Sequence, residues 1–211
     1  MLEDLKPLLN KTLKPIASVM AVLKIHPNML TITGTLLFGV AGVLIVLEKW
    51  KIALIPVIVG SVIDAMDGLV AREFGQKSTF GAVLDSTCDR ITEIAWFGGL
   101  IIFYVHNPQT SWARWNIYLA LIAFSGSVMI SYVKARCEGV GIDCSRGILQ
   151  RPERLILFSL FLLLGQGAMF PGLAILSALA WFTVAQRIHQ AIKGGREIDG
   201  KKERRKSQAM H

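Results

Sequence analysis

Four aspartates stand in two consecutive apolar segments of the chain, where charge is not expected. Asp64 and Asp67 lie three residues apart, and Asp85 and Asp89 lie four residues apart. Residues three or four apart share one face of a helix, so each pair is expected to point the same way. A carboxylate in a membrane-spanning helix costs roughly 2.5–3.5 kcal/mol to insert, which makes such a residue a functional candidate.

These pairs predict a cation site. A short connection around residues 75–78 makes the two segments antiparallel neighbours, so the pairs can face each other. Four carboxylates this close cannot all remain ionised without cations. Oxygen ligands without an organised His or Cys set favour Mg²⁺ or Mn²⁺, and four such groups can hold two ions. Two alternatives remain open on spacing alone: a buried ionic network with Arg72 and Arg90, or the lining of an ion pathway.

A longer pattern surrounds the aspartates. Residues 64–72 read DAMDGLVAR, and after eight further residues positions 81–89 read GAVLDSTCD. This resembles the D-x2-D-G-x2-A-R-x8-G-x3-D-x3-D signature of the CDP-alcohol phosphotransferase family, and all eight fixed positions match. The resemblance implies a six-helix, usually dimeric membrane enzyme. Such enzymes transfer a phosphatidyl-type group from a CDP-alcohol to an acceptor hydroxyl and release CMP.

The resemblance also implies roles for individual residues. Asp64 and Asp85 would bridge two divalent cations, Asp67 would complete one site and Asp89 the other. Asp89 would also be the catalytic base that takes the proton of the acceptor. The residues implied to bind the CDP-lipid are Asn28, Thr31, Gly68, Arg72, Ser78 and Gly81. On spacing alone, Asn28 and Thr31 are equally well explained as the cap of a helix.

A second polar group follows in the later connections and the last apolar segment. Its elements S-x2-K-x-R and R-P-E-R, with a late Q-R, resemble the branch of the family that makes phosphatidylinositol phosphate from inositol phosphate, and its archaeal counterpart, which uses an archaeol lipid. The implied contacts with the phosphate of a phosphorylated polyol are Ser131, Lys134, Arg136, Arg151, Arg154 and Arg187. The usual excess of Lys and Arg in cytoplasmic loops is a fair explanation for most of these residues. It is a poor explanation for Arg187, which lies inside an apolar segment.

Other functions fit the same residues less well. Glycerol-3-phosphate is the main alternative acceptor, as in phosphatidylglycerophosphate synthases. A cation transporter or channel is the alternative of a different class, and it predicts inverted repeats or paired broken helices, which the sequence does not show.

The surrounding chain has the composition of a membrane protein. Of its 211 residues 53% are hydrophobic and 18% are charged, whereas soluble domains carry about 25% charged residues. A spanning helix needs about 20 mostly apolar residues. We therefore predict an all-α integral membrane fold with six transmembrane helices, near residues 29–47, 52–72, 80–105, 115–133, 154–170 and 171–192.

The basic residues predict the orientation of these spans. Eighteen Lys and Arg fall in the two termini and the second and fourth connections, against three on the opposite side. Positive charge favours the cytoplasmic face, so both termini and the aspartates are expected there. This distribution accounts for the net charge of +8 without a nucleic-acid partner.

The ends of the chain are predicted to lie at the membrane surface. Apolar residues recur every three or four positions over residues 1–25, which indicates an interfacial amphipathic helix in contact with membrane lipids. Residues 193–211 form a basic cytoplasmic tail, and residues 1–211 are expected to form a single domain. The three cysteines show no metal-binding spacing, and their cytoplasmic placement argues against disulfides.

Overall fold

The computed structural model describes residues 6–209, except Lys24, Phe74, Gln76 and Lys77. Within these residues the chain is helical, without a strand. The helices, in chain order, are α1 (Lys6–Val22), α2 (Pro27–Val46), α3 (Trp50–Glu73), α4 (Thr79–His106), α5 (Ala113–Gly139), α6 (Arg151–Leu164) and α7 (Gln166–Ala209).

Local residue chemistry sets the helix ends near the aspartates. Pro27 opens α2, where a missing backbone N–H costs nothing, and the His26 side chain accepts a hydrogen bond from the Asn28 backbone N–H. Ser78 precedes α4, and its Oγ accepts the Gly81 backbone N–H at 2.9 Å. Gly165 ends α6 with φ at 84°, a conformation that favours glycine.

Helix α2 packs against both α3 and α4 through glycines. A Cβ added at Gly99 of α4 would lie 2.5 Å from the Gly42 carbonyl oxygen of α2. A Cβ at Gly60 of α3 would lie 3.2 Å from the Gly34 carbonyl oxygen. Small residues therefore let these backbones approach closely, as in other membrane helix pairs. The contacts hold α3 and α4 beside α2.

Two apolar clusters support this arrangement. The larger cluster has members on every helix from α2 to α7. It includes Trp96 and Phe158, whose rings meet edge to face with 4.2 Å between centroids. The smaller one joins α1 to the aspartate end of α3, where Leu13 and Ala17 pack with Met66. Helix α1 covers Lys6–Val22 of the predicted range 1–25, and its position at the membrane surface stays a prediction. Residues 1–5 and Lys24 of that range lie outside the described part.

The described helices agree in part with the predicted spans. Four are long and apolar enough to cross a membrane: Pro27–Val46, Trp50–Arg72, Ala113–Gly139 and Gln166–Gly200. Helix α6 has 14 residues and ends at Leu164, so the predicted boundary near residue 170 was placed too late. Helix α7 has 44 residues and runs through most of the predicted tail, which is therefore helical as far as Ala209.

The prediction of no disulfide was wrong for one pair of cysteines. Cys137, near the end of α5, and Cys144, in the following connection, form a disulfide, whereas Cys88 is free and buried. The two residues are seven apart in sequence, so the bond closes a small loop. Spacing alone does not indicate which cysteines meet, because the pairing depends on how this connection folds back.

Candidate active site

Three of the four predicted metal ligands form a cluster. Carboxylate oxygens of Asp64, Asp67 and Asp85 all lie within 4.8 Å of one another. Asp67 is buried, Asp64 is half-buried and Asp85 is exposed, so the cluster opens to the outside on the side of α4. Three hard oxygen ligands with one open side suit a divalent cation that also binds phosphate oxygens. The predicted meeting of the two helical pairs is confirmed for these residues.

Asp89 lies beside this cluster and is paired with Arg151, the first residue of α6. Arg151 Nη2 lies 2.7 Å from Asp89 Oδ1, while its Nη1 and Nη2 donate to the two Asp64 oxygens at 2.7 and 3.1 Å. Arg90 is a more distant partner, at 3.6 Å from Asp89 Oδ2. The ionic network left open by the sequence is therefore present, but with Arg151 as its main cation in place of Arg72.

The nucleotide-binding candidates lie next to the aspartates at the start of α2 and α4. Thr31 Oγ1 donates to Asp67 Oδ2, and the Pro27 carbonyl oxygen lies 3.2 Å from the same Oγ1. Thr31 therefore connects α2 to the carboxylate cluster, and the cap of α2 is provided by His26 instead. A Cβ at Gly81 would lie 3.2 Å from Asn28 Oδ1, which places these two residues side by side.

Gly68 and Arg72, the other two residues expected to bind the nucleotide lipid, lie on the last two turns of α3. A Cβ at Gly68 would lie 3.1 Å from Arg72 Nη1, so the absence of a side chain at Gly68 leaves room for the Arg72 guanidinium. Arg72 is exposed. Among the described residues no ion-pair partner faces Arg72, so its guanidinium can contact a phosphate without leaving one of them.

A second ion pair lies deeper between α4 and α6. Arg154 Nη2 is 2.8 Å from Glu93 Oε1, and both side chains are 2% exposed. Arg154 Nη1 also donates to the Leu149 carbonyl at 3.4 Å. In this arrangement the Arg154 guanidinium is committed to protein groups, so contact with an acceptor would require it to leave Glu93.

The other acceptor candidates lie on α5 and α7. Arg187 is buried, and its Nη1 donates to the Ile130 carbonyl at 2.6 Å, which places it beside Ser131. Lys134 lies one turn further along α5, is exposed, and pairs with Glu138 at 3.7 Å. Arg136 is also exposed. The structure thus brings Arg187 and Ser131 together but leaves Lys134 and Arg136 on the outer surface of α5.

Side chains of α7 hold the connection before α6. Thr183 Oγ1 accepts the Leu149 N–H at 3.1 Å, and Gln186 Oε1 accepts the Ile148 N–H at 3.2 Å. Gln190 Nε2 donates to the Arg146 carbonyl at 2.8 Å. These bonds fix the point at which α6 begins, and hence the position of Arg151.

The sequence did not predict which residues of α7 hold the connection before α6, nor that Glu93 pairs with Arg154. Thr183 and Gln186 occupy an ordinary apolar helix pattern and gave no signal of contact with a loop. Glu93 gave a weak signal, because it lies four residues after Asp89 and therefore on the same helix face.

The chain is an apolar helical bundle, and a carboxylate cluster that could hold a metal ion lies where two of its helices meet. Residues 24–188 match the CDP-alcohol phosphatidyltransferase family, and the chain belongs to this family of membrane-bound transferases.

Relatives within the family are similar over most of their length. The phosphatidylinositol phosphate synthase of Corynebacterium glutamicum is 38% identical over 85% of this chain and 84% of its own. The archaetidylinositol phosphate synthase of Pyrococcus horikoshii is 34% identical, over 92% of this chain and 97% of its own.

Solved structures of the Mycobacterium tuberculosis phosphatidylinositol phosphate synthase are also similar. The structure with CDP-DAG bound has a TM-score of 0.77 at 32% identity and covers 84% of this chain and 92% of that chain. The structure with manganese and citrate has a TM-score of 0.75 at 32% identity and covers 84% of this chain and 87% of that chain.

Proposed function

We propose that this protein transfers a phosphatidyl-type group from a CDP-lipid to a hydroxyl of inositol phosphate and releases CMP. The donor would be CDP-diacylglycerol or CDP-archaeol. The observation that carries the proposal is the contact of Thr31 with Asp67, because it joins the carboxylate cluster to the candidate nucleotide-binding residues at the start of α2. The names of the relatives support inositol phosphate as the acceptor.

The aspartates would hold two divalent cations, Mg²⁺ or Mn²⁺. The donor set fits, since three carboxylates lie within 4.8 Å and Asp89 lies on the next turn of α4 after Asp85. The manganese in the M. tuberculosis structure supports this choice of metal. When bound, the cations would neutralise the diphosphate of the donor and stabilise the leaving CMP oxygen.

Protein groups would bind the donor on two sides of this cluster. Asn28, Ser78 and Gly81 would receive the cytidine part, because they lie together at the start of α2 and α4. Gly68 allows Arg72 to lie along α3, where its guanidinium can pair with a phosphate oxygen. The lipid tails would remain in the bilayer beside the apolar helices.

Asp89 would accept the proton of the attacking hydroxyl. It is partly exposed, lies beside the cluster, and is held by Arg151 Nη2 at 2.7 Å. A general base must come within hydrogen-bond reach of the proton that it removes, and the open side of the cluster allows this approach. The acceptor would therefore enter between α4 and α6.

Basic groups on α5, α6 and α7 would bind the phosphate of the acceptor. Arg187 and Ser131 form the inner part of this proposed pocket, and Lys134 and Arg136 supply charge at its surface. Arg151 would contact the phosphate from the side of the aspartates. Arg154, paired with Glu93, would form the wall behind Arg151.

The membrane arrangement is part of the proposal. Helices α2 to α7 would form six spans of a single domain over residues 1–211, with α1 on the membrane surface. Both termini and the active site would face the cytoplasm, as the distribution of Lys and Arg favours. The active form would be a homodimer, as the family resemblance implies.

A CMP-release assay tests the reaction. Purified protein with Mn²⁺ would be offered CDP-diacylglycerol or CDP-archaeol, each with inositol phosphate, glycerol-3-phosphate, free inositol or serine. We expect CMP release with inositol phosphate to exceed release with free inositol or serine by at least about tenfold, since unpaired charges in the pocket penalise an acceptor without phosphate. We also expect it to exceed release with glycerol-3-phosphate, as the names of the relatives support.

The other arms of the assay contradict separate parts of the proposal. Faster release with glycerol-3-phosphate would contradict the acceptor. No CMP with any pair would contradict the transferase reaction, and cation flux through vesicles containing the protein would then support a transporter or channel.

A further inference from the structure

Arg151 makes the closest described ion pairs of the aspartate group. Its guanidinium spans Asp64 and Asp89, with three N–O distances between 2.7 and 3.1 Å. Asp64 belongs to the cluster with Asp67 and Asp85, so the positive charge lies at the edge of the proposed cation site. A planar fork that bridges two carboxylates is a strong and specific arrangement.

The backbone on either side of Arg151 is fixed. The preceding residues bond to α7 through Thr183 and Gln186, and Arg154 is anchored to Glu93 in the next turn of α6. The side chain itself is 28% exposed. The guanidinium can therefore change partners by rotation of its side chain, while the start of α6 stays in place.

We propose that Arg151 is the internal counter-ion of the cation site. In the metal-free protein its charge stabilises Asp64 and Asp89, and cation binding displaces it toward the acceptor side. This inference rests on the cation site of the proposed function. Because a cation and the guanidinium compete for the same carboxylates, Arg151 lowers cation affinity and stabilises the metal-free fold.

The exchange also couples cation binding to binding of the acceptor. A guanidinium released from the aspartates is free to pair with the phosphate of the acceptor. Cation binding then raises affinity for a phosphorylated acceptor, and by linkage the acceptor raises affinity for the cation to the same extent.

Isothermal titration of purified Arg151→Gln with Mn²⁺ tests the competition. We expect Mn²⁺ to bind about tenfold more tightly than to the wild type, within the usual range of coupling between sites. We also expect a lower melting temperature without metal, because Asp64 and Asp89 lose their counter-ion.

The matched control is Arg146→Gln, which removes an exposed charge from the connection before α6. This variant should bind Mn²⁺ with an affinity near that of the wild type, and its melting temperature without metal should also be near that of the wild type. Unchanged or weaker Mn²⁺ binding in Arg151→Gln, with normal binding in the wild type, would overturn the counter-ion role alone. Absence of Mn²⁺ binding in the wild type would instead contradict the proposed cation site and the inference with it.

A measurement on the wild type covers the case in which Arg151→Gln does not fold. Arginine-specific dicarbonyl labelling, read by peptide mass spectrometry, reports how free each guanidinium is. We expect saturating Mn²⁺ to increase the labelling rate of Arg151 at least about threefold relative to Arg146, because the displaced fork leaves the carboxylates. A rate that is unchanged or lowered by Mn²⁺ would overturn the proposal.

Discussion

Two carboxylate–guanidinium pairs join α4 to α6 about one helical turn apart, and their surroundings differ. Asp89 and Arg151 are 16% and 28% exposed, and further aspartates lie beside them. Glu93 and Arg154 are each 2% exposed and are 2.8 Å apart. Arg90 lies 3.6 Å from a carboxylate oxygen of each pair. The outer pair has an excess of negative charge and access from outside, whereas the inner pair has no excess of negative charge and is enclosed.

This difference separates two uses of the same chemistry. Excess charge that is accessible can be completed by a cation or a phosphate, so the outer pair can take part in a reaction. An enclosed pair without excess negative charge offers no place for a further cation, and removing one partner leaves a buried charge. We therefore expect substitutions in the outer pair to reduce turnover and substitutions in the inner pair to reduce stability.

Asp89→Asn should give the largest effect on the outer pair. The amide keeps the shape of the side chain but accepts no proton, so we expect CMP release to fall about 10³-fold, within the usual range for a general base. Binding of CDP-lipid should remain within about threefold of the wild type, because the other aspartates are intact. Ser86→Ala is the control, as its hydroxyl donates to the Ala82 carbonyl of its own helix and to no other group among the described residues. Normal turnover in Asp89→Asn would remove this residue from the role of base.

Glu93→Gln makes the corresponding change in the inner pair. The charge of Arg154 is then uncompensated in a buried position, and we expect the free energy of unfolding to fall by about 3 kcal/mol. Thermal unfolding in detergent measures this loss, while turnover at low temperature should stay within about threefold. Glu93→Gln/Arg154→Met is the control and should regain part of the stability. A higher KM for inositol phosphate at unchanged stability would instead place Arg154 in the acceptor pocket.

Arg187→Ala should give the smallest of the three effects. Loss of a charged hydrogen-bond donor from the proposed phosphate pocket is expected to raise the KM for inositol phosphate about tenfold. Steady-state CMP release at varied acceptor concentration measures it, with Arg114→Ala as a control remote from the pocket. Because Arg187 also donates to the Ile130 carbonyl, the melting temperature of the Arg187→Ala variant must be recorded in parallel. An unchanged KM would leave Arg187 with a structural role only.

Much of the aspartate site could be predicted from the sequence. Helical spacing placed Asp64 and Asp67 on one face, and the short connection to α4 required this face to meet Asp85. The apolar runs predicted the helices, and four of them are long enough to span a membrane.

The partners of the basic residues could not be predicted in the same way. Arg151 and Arg154 lie only three residues apart, yet one contacts the open cluster and the other an enclosed glutamate. This difference depends on where α6 begins, which is set by hydrogen bonds from the Leu149 and Ile148 backbone N–H groups to Thr183 and Gln186, more than 30 residues later in the chain. Spacing within one helix carries no information on such contacts.

The short sixth helix has a consequence for the surrounding lipid. Helix α6 has 14 residues, or about 21 Å at 1.5 Å per residue, whereas the hydrocarbon layer of a bilayer is about 30 Å thick. In the proposed six-span arrangement the bilayer beside α6 must thin, or water must reach below the level of the headgroups. Either response lowers the distance between a water-soluble acceptor and a lipid-anchored diphosphate. The activity of the protein should therefore depend on acyl-chain length, and be highest in thin bilayers.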